Sequence, residues 1–262
     1  MRKLIIAVLV VIALAVAADF GAAAAAEYAV ATQLRQQLGL ANDPSVRING
    51  FPFLTQALAG RYSSIDVRAT GVPADPLRDL DVEATLHDVE VPLAAAISGE
   101  LQSVQAARVD GRVRIKDSDL GRTIGIEDLR IQQPSDREIS ELVPAVPTGN
   151  PAPGARAPIR MVATTDLLGQ RTEIVGTGVI ELTDDLVRIA ARDVRLARDG
   201  VGEVGLPRAI RQTLLKTLSA DVKPGGLPFD VTATSVWVQT GAVIVEGTAS
   251  NVTISQPGTG AG

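Results

Sequence analysis

The chain has no cysteine. That excludes a disulfide framework and any thiolate metal site, so stability must come from packing alone. Histidine is nearly absent as well. His87 stands alone, on the polar side of an alternating segment, and no G-x-S-x-G elbow accompanies it. A serine or cysteine nucleophile would need such a partner. Aromatics make up 3% of the residues although 46% are hydrophobic, so the core must be built from Val, Ile, Leu and Ala. Branched residues of this kind suit strands, and Ala suits helices. Cations are short too: 25 Lys and Arg face 30 Asp and Glu, a net charge of −5. Arg2 and Lys3 sit in the N-terminal targeting segment, which leaves the body more acidic still if they are removed. The balance argues against nucleic acid as a partner and against a polybasic patch for anionic membrane.

What the chain does have is an export signal. Arg2 and Lys3 precede an unbroken apolar run from Leu4 to Ala18, a charged start followed by a hydrophobic region. The run falls short of the roughly 20 residues a bilayer span requires. Residues 1–21 are therefore expected to be a signal peptide or a signal anchor. Cleavage after Ala18 and retention in the membrane both remain open. The anchor is favoured because Ala22 to Leu38 continues as a helix with Ala26, Val30, Leu34 and Leu38 on one stripe. In either case the positive-inside rule sends the body out of the cytoplasm, to the periplasmic side of the membrane.

Residues 22–256 read as a single elongated domain. Gly39 ends the helix. Segments of period two follow: Ile65, Val67 and Ala69; Leu80, Val82, Ala84 and Leu86; Val109, Gly111, Val113 and Ile115; then Ile124, Ile126, Leu129 and Ile131. Each has one dry and one wet face, as in antiparallel sheets. A short helix is expected from Pro92 to about Ser98, and a flexible Pro- and Gly-rich loop over residues 144–158. Strands are expected over 159–165, 172–182 and 186–197, and a helix over 207–218 with Ile210, Leu214, Leu215 and Leu218 on one face. A final hairpin joins 229–239 to 242–254 around Thr240-Gly241, ahead of a disordered tail over 257–262.

Acidic residues are plentiful, but their pattern is not catalytic. Asp81, Glu83, Asp88 and Glu90 could in principle supply a carboxylate pair for glycoside hydrolysis. Their alternation with apolar residues is better explained by a solvated sheet face. Asp117 and Asp119 lie on one face of a strand or turn, and Asp184-Asp185 marks a hairpin tip; neither matches a metal-binding spacing. Gly121–Gly125 and Gly176–Gly178 are not phosphate loops, since no Lys-Ser/Thr follows. The Gly176 and Gly178 pair suits a strand that bends or approaches another backbone closely. No cofactor, metal site or catalytic residue is expected.

The few aromatics cluster. Phe51, Phe53 and Tyr62 fall within Gly50-Phe51-Pro52-Phe53-Leu54-Thr55-Gln56-Ala57-Leu58-Ala59-Gly60-Arg61-Tyr62, where Leu54 and Leu58 lie four apart on a short helix. The residues alone leave two readings: a plug at one end of a sheet, or the mouth of an apolar pocket.

The run G-F-P-F-L-x-Q-x-L-x-G-x-Y at 50–62, followed by Ile65-Asp66-Val67, resembles the LmeA-like phospholipid-binding proteins of the actinobacterial cell envelope. Gly226-Leu227-Pro228-Phe229 and the hairpin over 241–254 with Glu246-Gly247 resemble that family's C-terminal part. The resemblance implies an α+β fold in which a curved antiparallel sheet wraps amphipathic helices, as in tubular lipid-binding proteins. It implies an envelope protein that binds phospholipid such as phosphatidylinositol without catalysis, carries it between membranes, or supports lipoglycan synthesis beside an envelope glycosyltransferase. Under that reading Phe51, Phe53, Leu54, Leu58 and Tyr62 form the lipid-binding pocket mouth. Trp237 is a lesser candidate, because its neighbours Val236 and Val238 face the opposite side. The competing reading is an envelope scaffold that tethers a biosynthetic enzyme without binding lipid; a third is a hydrolase using the acids named above.

Overall fold

The computed structural model describes residues 1–91, 103–126, 128–142, 155–167, 170–183, 186–198, 202–222 and 232–255. The expected helix after Pro92, the Asp184-Asp185 tip, the Gly226–Phe229 segment and the tail lie outside these residues. So does the expected loop up to residue 154, but its last three positions already belong to a strand that starts at Arg156.

The architecture is α+β: one long helix, then two antiparallel sheets that do not close into a barrel. Helix α1 is unbroken from Arg2–Leu38 and stops at Gly39, which takes the left-handed conformation at φ 63°. The apolar run and the expected amphipathic helix are thus one rod. The packed side includes most of the expected stripe: Ala26, Val30 and Leu34 are half-buried, Ala22, Ala23 and Ala26 meet the core and Ala31 is buried, while Leu38, at the helix end, is exposed.

The first sheet has the order β1-β2-β3-β4-β12-β11, from β1 (Ser45–Asn49), β2 (Arg61–Ala74), β3 (Leu77–Glu90), β4 (Ser103–Lys116), β11 (Thr232–Gln239) and β12 (Ala242–Ser255). The second has the order β10-β8-β7-β6-β5, with β9 paired to β8. Its strands are β5 (Arg130–Gln132), β6 (Arg156–Leu167), β7 (Gln170–Thr183), β8 (Leu186–Arg198), β9 (Gly202–Gly205) and β10 (Ala220–Val222). Period-two patterning produces these strands because alternate side chains leave opposite faces of the pleat.

Four shorter helices complete the described elements: α2 (Phe53–Ala59), α3 (Asp117–Ile124), α4 (Asp136–Leu142) and α5 (Arg208–Thr217). Helix α3 corrects the expected strand-like reading near Ile124. Asp117 and Asp119 occupy its first turn, where carboxylates suit the helix dipole, and Gly125 ends it at φ 78°. Asp119, 1% exposed, accepts hydrogen bonds from the Arg78 and Asp79 amides at 2.9 and 3.1 Å. It clamps α3 to β3 and does not serve a turn.

The larger hydrophobic cluster joins the two sheets. Leu80, Ile115, Val238 and Val243 from the first meet Ile159, Met161, Ile180 and Val194 from the second. Leu120 of α3 and Leu218 just beyond α5 fill it further. The tight glycines of β7 belong here: a Cβ on Gly176 would lie 2.7 Å from Leu218, and one on Gly178 would lie 2.4 Å from the Ala190 carbonyl oxygen. A smaller cluster sits at the other end of the first sheet. It comprises Phe53, Tyr62, Val89, Ala106, Val109, Val252 and their neighbours, capped by the alanine side of α1.

Candidate functional site

Between the two clusters the apolar face of the first sheet changes character. Val46, Val67, Ala84, Gly111, Gly247 and Ala233 stand in one row across all six strands. The row is made of small residues. Val67, Ala84, Gly111 and Ala233 are half-buried, and Val67 joins neither cluster. On one side run the half-buried Val82, Val113 and Val245; on the other run Ile65 and Leu86. Among the described residues, a Cβ built on Gly111 would find within 4 Å a single atom, the Gly247 carbonyl oxygen at 3.9 Å. Gly176, whose Cβ would lie 2.7 Å from Leu218, shows the contrast: among the described residues its face is filled and that of Gly111 is not. A strand glycine with room above it leaves a shallow apolar hollow where a larger side chain would stand.

The motif at residues 50–62 borders this face at the α1 end. Proline at position 52 offers no side chain to cap α2. The cap comes from α1: Asp19, 5% exposed, accepts from the Phe53 amide through Oδ2 and from the Leu54 amide through Oδ1, both at 2.8 Å. A carboxylate on otherwise unpaired amides at a helix start satisfies donors and matches the dipole. Gln56 ties α2 to the sheet, accepting from the Ser63 amide at 3.0 Å and donating to the Asn49 carbonyl at 3.4 Å. Glu27 of α1 accepts from the Ile48 amide at 2.8 Å. Gly50 is favoured as glycine by its φ of +106°, and a Cβ there would also push the Gln56 amide, 2.6 Å away, off its place.

The structure divides the residues that sequence reasoning grouped. Phe53 and Tyr62 turn inward, their ring centroids 6.3 Å apart in the smaller cluster. Burial raises the Tyr62 hydroxyl above its ordinary pKa. Phe51 turns outward and stacks on Phe20 at 5.9 Å, and Leu54 and Leu58 are also exposed. Trp237 is on the opposite, polar face of the sheet, with the Arg112 guanidinium 5.5 Å from its ring centroid. Sequence reasoning missed Asp19, the residue that directly follows the apolar run. It also missed the row through Gly111 and Gly247; small residues at matching positions of paired strands were the available signal.

The polar face accounts for Asp81, Glu83 and Glu90, whereas Asp88 is exposed at a positive φ of 49°, outside the β2–β3 ladder. Arg68, Glu83, Arg112 and Glu246 alternate in sign along one cross-strand row, with an Arg112–Glu246 separation of 2.7 Å. Asp81 meets Lys116 at 3.0 Å and Glu90 meets Arg61 at 3.3 Å, while His87 Nε2 lies 3.0 Å from Asp110. The Asp79 hydrogen bond, opposed in part by burial, raises the Lys116 pKa. Hydrogen bonds from Asn49 and Thr85, each 2.9 Å long, hold the Asp66 carboxyl below its usual range. Exposed pairs of this kind contribute about 0–1 kcal/mol each. Among the described residues no group of His, Asp and Glu could hold a metal ion. A cleft of about 250 Å³ on the second sheet is lined by Glu138, Glu141, Arg192, Asp193 and Arg195, charges of both signs unsuited to an acyl chain.

The family model described as LmeA-like phospholipid-binding matches residues 17–248. Neither a curated protein nor a solved structure matches the chain.

Proposed function

The chain belongs to the LmeA-like phospholipid-binding family, and from that premise we propose that its first sheet holds a phospholipid acyl chain along the small-residue row through Gly111 and Gly247. The observation that carries the reading is the room above Gly111, at the centre of an aliphatic face flanked by half-buried valines, isoleucine and leucine. An apolar hollow stays dry and accepts hydrocarbon, and each buried methylene contributes about 0.8 kcal/mol. A tail covering the row therefore gains affinity without a charged contact. The headgroup remains at the solvent edge, so headgroup choice rests on polar residues around the rim and not on the row itself.

In this reading the protein binds and presents lipid and does no chemistry on it; Asp81, Glu90 and Glu246 on the opposite face are engaged in ion pairs across the strands. Helix α1, which taken over its whole length Arg2–Leu38 is long and apolar enough to be a candidate membrane span, anchors the domain in this reading on the outer side of the cytoplasmic membrane. Phosphatidylinositol as the lipid, transfer between membranes, and service to a glycosyltransferase of lipoglycan synthesis are finer parts of the proposal, supported by the family resemblance.

The test is native mass spectrometry of the full-length protein released from mild detergent, followed by extraction and identification of the lipid. A mass increment that dissociates as intact phospholipid is the expected result. A bare polypeptide mass from lipid-replete membranes, with nothing extractable, would refute the proposal.

A further inference from the structure

The apolar part of α1 that stands free of the domain is short. Residues Leu4 to Ala18 are exposed or nearly so, and at 1.5 Å per residue they reach about 22 Å, against a hydrocarbon core of about 30 Å. From Asp19 onward the helix is bound to the domain, because that carboxylate holds the start of α2. Helix α2 is thereby fixed at the level where α1 emerges.

At that level the domain exposes a compact apolar patch. Phe20 and Phe51 are each 63% exposed and stacked on one another, Leu54 is 42% exposed and Leu58 is 74% exposed. The sequence FLTQALA of α2 contains no charged residue. Together the four side chains present roughly 400 Å² of apolar surface, in the size range of the largest patch on a typical monomer, which is often functional. The patch is continuous with the apolar half of α1 through Phe20, and it supplies the missing hydrophobic length on the domain side.

We propose that Phe20, Phe51, Leu54 and Leu58 form a wedge that sinks into the interface of the lipid bilayer beside α1, making up the shortfall of the helix. The wedge needs no anionic lipid, since it carries no charge. It rests on the reading of α1 as the anchor and is independent of where an acyl chain lies on the sheet.

The absence of cysteine allows single-site probes in the full chain. Leu58→Cys, Val10→Cys and Ser250→Cys variants are each labelled with an environment-sensitive dye and reconstituted in neutral phosphatidylcholine vesicles. Quenching by doxyl-labelled phosphatidylcholine and by aqueous iodide is then measured. Position 10 reports on the anchor and position 250 on the solvated sheet face. The expected result is lipid quenching at 58 exceeding that at 250 by roughly threefold or more, with iodide quenching reduced. Lipid quenching at 10 with strong iodide quenching at 58 overturns the wedge while leaving the anchor. Lipid quenching at neither 10 nor 58 overturns both. A shielded probe at 58 that neither agent quenches assigns the patch to a second copy of the chain and overturns the wedge.

Discussion

Gly111→Leu is the sharpest test of the acyl site. The new side chain rises from β4, inside the first sheet, into space where, among the described residues, its Cβ meets a single backbone oxygen at 3.9 Å. Four added carbons displace about three methylenes of a bound tail, and at about 0.8 kcal/mol each the loss is about 2–3 kcal/mol, a 30- to 150-fold weakening. The fold should not suffer. Replacing a strand glycine removes an entropic cost of roughly 0.5–1 kcal/mol, so the midpoint of denaturation should hold or rise. Gly111→Ala, with one added carbon, should give a partial effect and establish the gradation. Displacement of a fluorescent phospholipid measures affinity, and urea denaturation followed by circular dichroism measures stability. Full-affinity binding by a stable Gly111→Leu protein would show that no tail crosses the row. A collapse of stability would show that the face is already filled.

Phe53→Ala should cost about 3–5 kcal/mol of stability, since Phe53 is 7% exposed in the smaller cluster, whereas Phe51→Ala should change stability by less than about 1 kcal/mol; chemical denaturation distinguishes them. Asp19→Ala leaves the Phe53 and Leu54 amides without an acceptor and should destabilise by about 1–3 kcal/mol, with accelerated hydrogen exchange confined at first to α2. The depressed Asp66 carboxyl contributes stability that is present above its unfolded value near pH 4 and is lost as pH falls through the lower folded value. Asp66→Asn should therefore flatten the acid limb of the stability profile measured by thermal melts. Gly178→Ala places a Cβ 2.4 Å from the Ala190 carbonyl oxygen and should cost about 1–3 kcal/mol or prevent folding, as read by melting temperature and soluble yield.

The long strands were legible because alternation is a local signal: Leu80, Val82, Ala84 and Leu86 announce β3 without reference to the rest of the chain. Their division into two sheets was not, because it depends on partners far apart. Strand β4 pairs with β12, Val113 against Val245, and no periodicity records that choice. Helix α3 was hidden by Ile124, Ile126, Leu129 and Ile131, whose spacing imitates a strand although Asp117, Asp119 and Gly125 supply helix boundaries. In the motif at 50–62 the residue types were correctly seen as unusual, but α2 is apolar on most sides. Pattern alone could not decide that Phe53 faces Tyr62 while Phe51 faces Phe20. The site row escaped for a related reason: Gly111 and Gly247 look like ordinary strand glycines until the register sets them side by side.

The unbroken run of α1 from Arg2 to Leu38, pinned by Asp19 to α2 and by Glu27 to Ile48, leaves no swivel between the apolar end and the sheets. A Gly/Ser stalk of similar length would let the domain sample a broad hemisphere. A continuous helix tied in this way instead holds the sheets at one height and one heading relative to its own apolar end. Under the proposed anchoring, encounters with membrane lipid would be confined to the plane beside the helix.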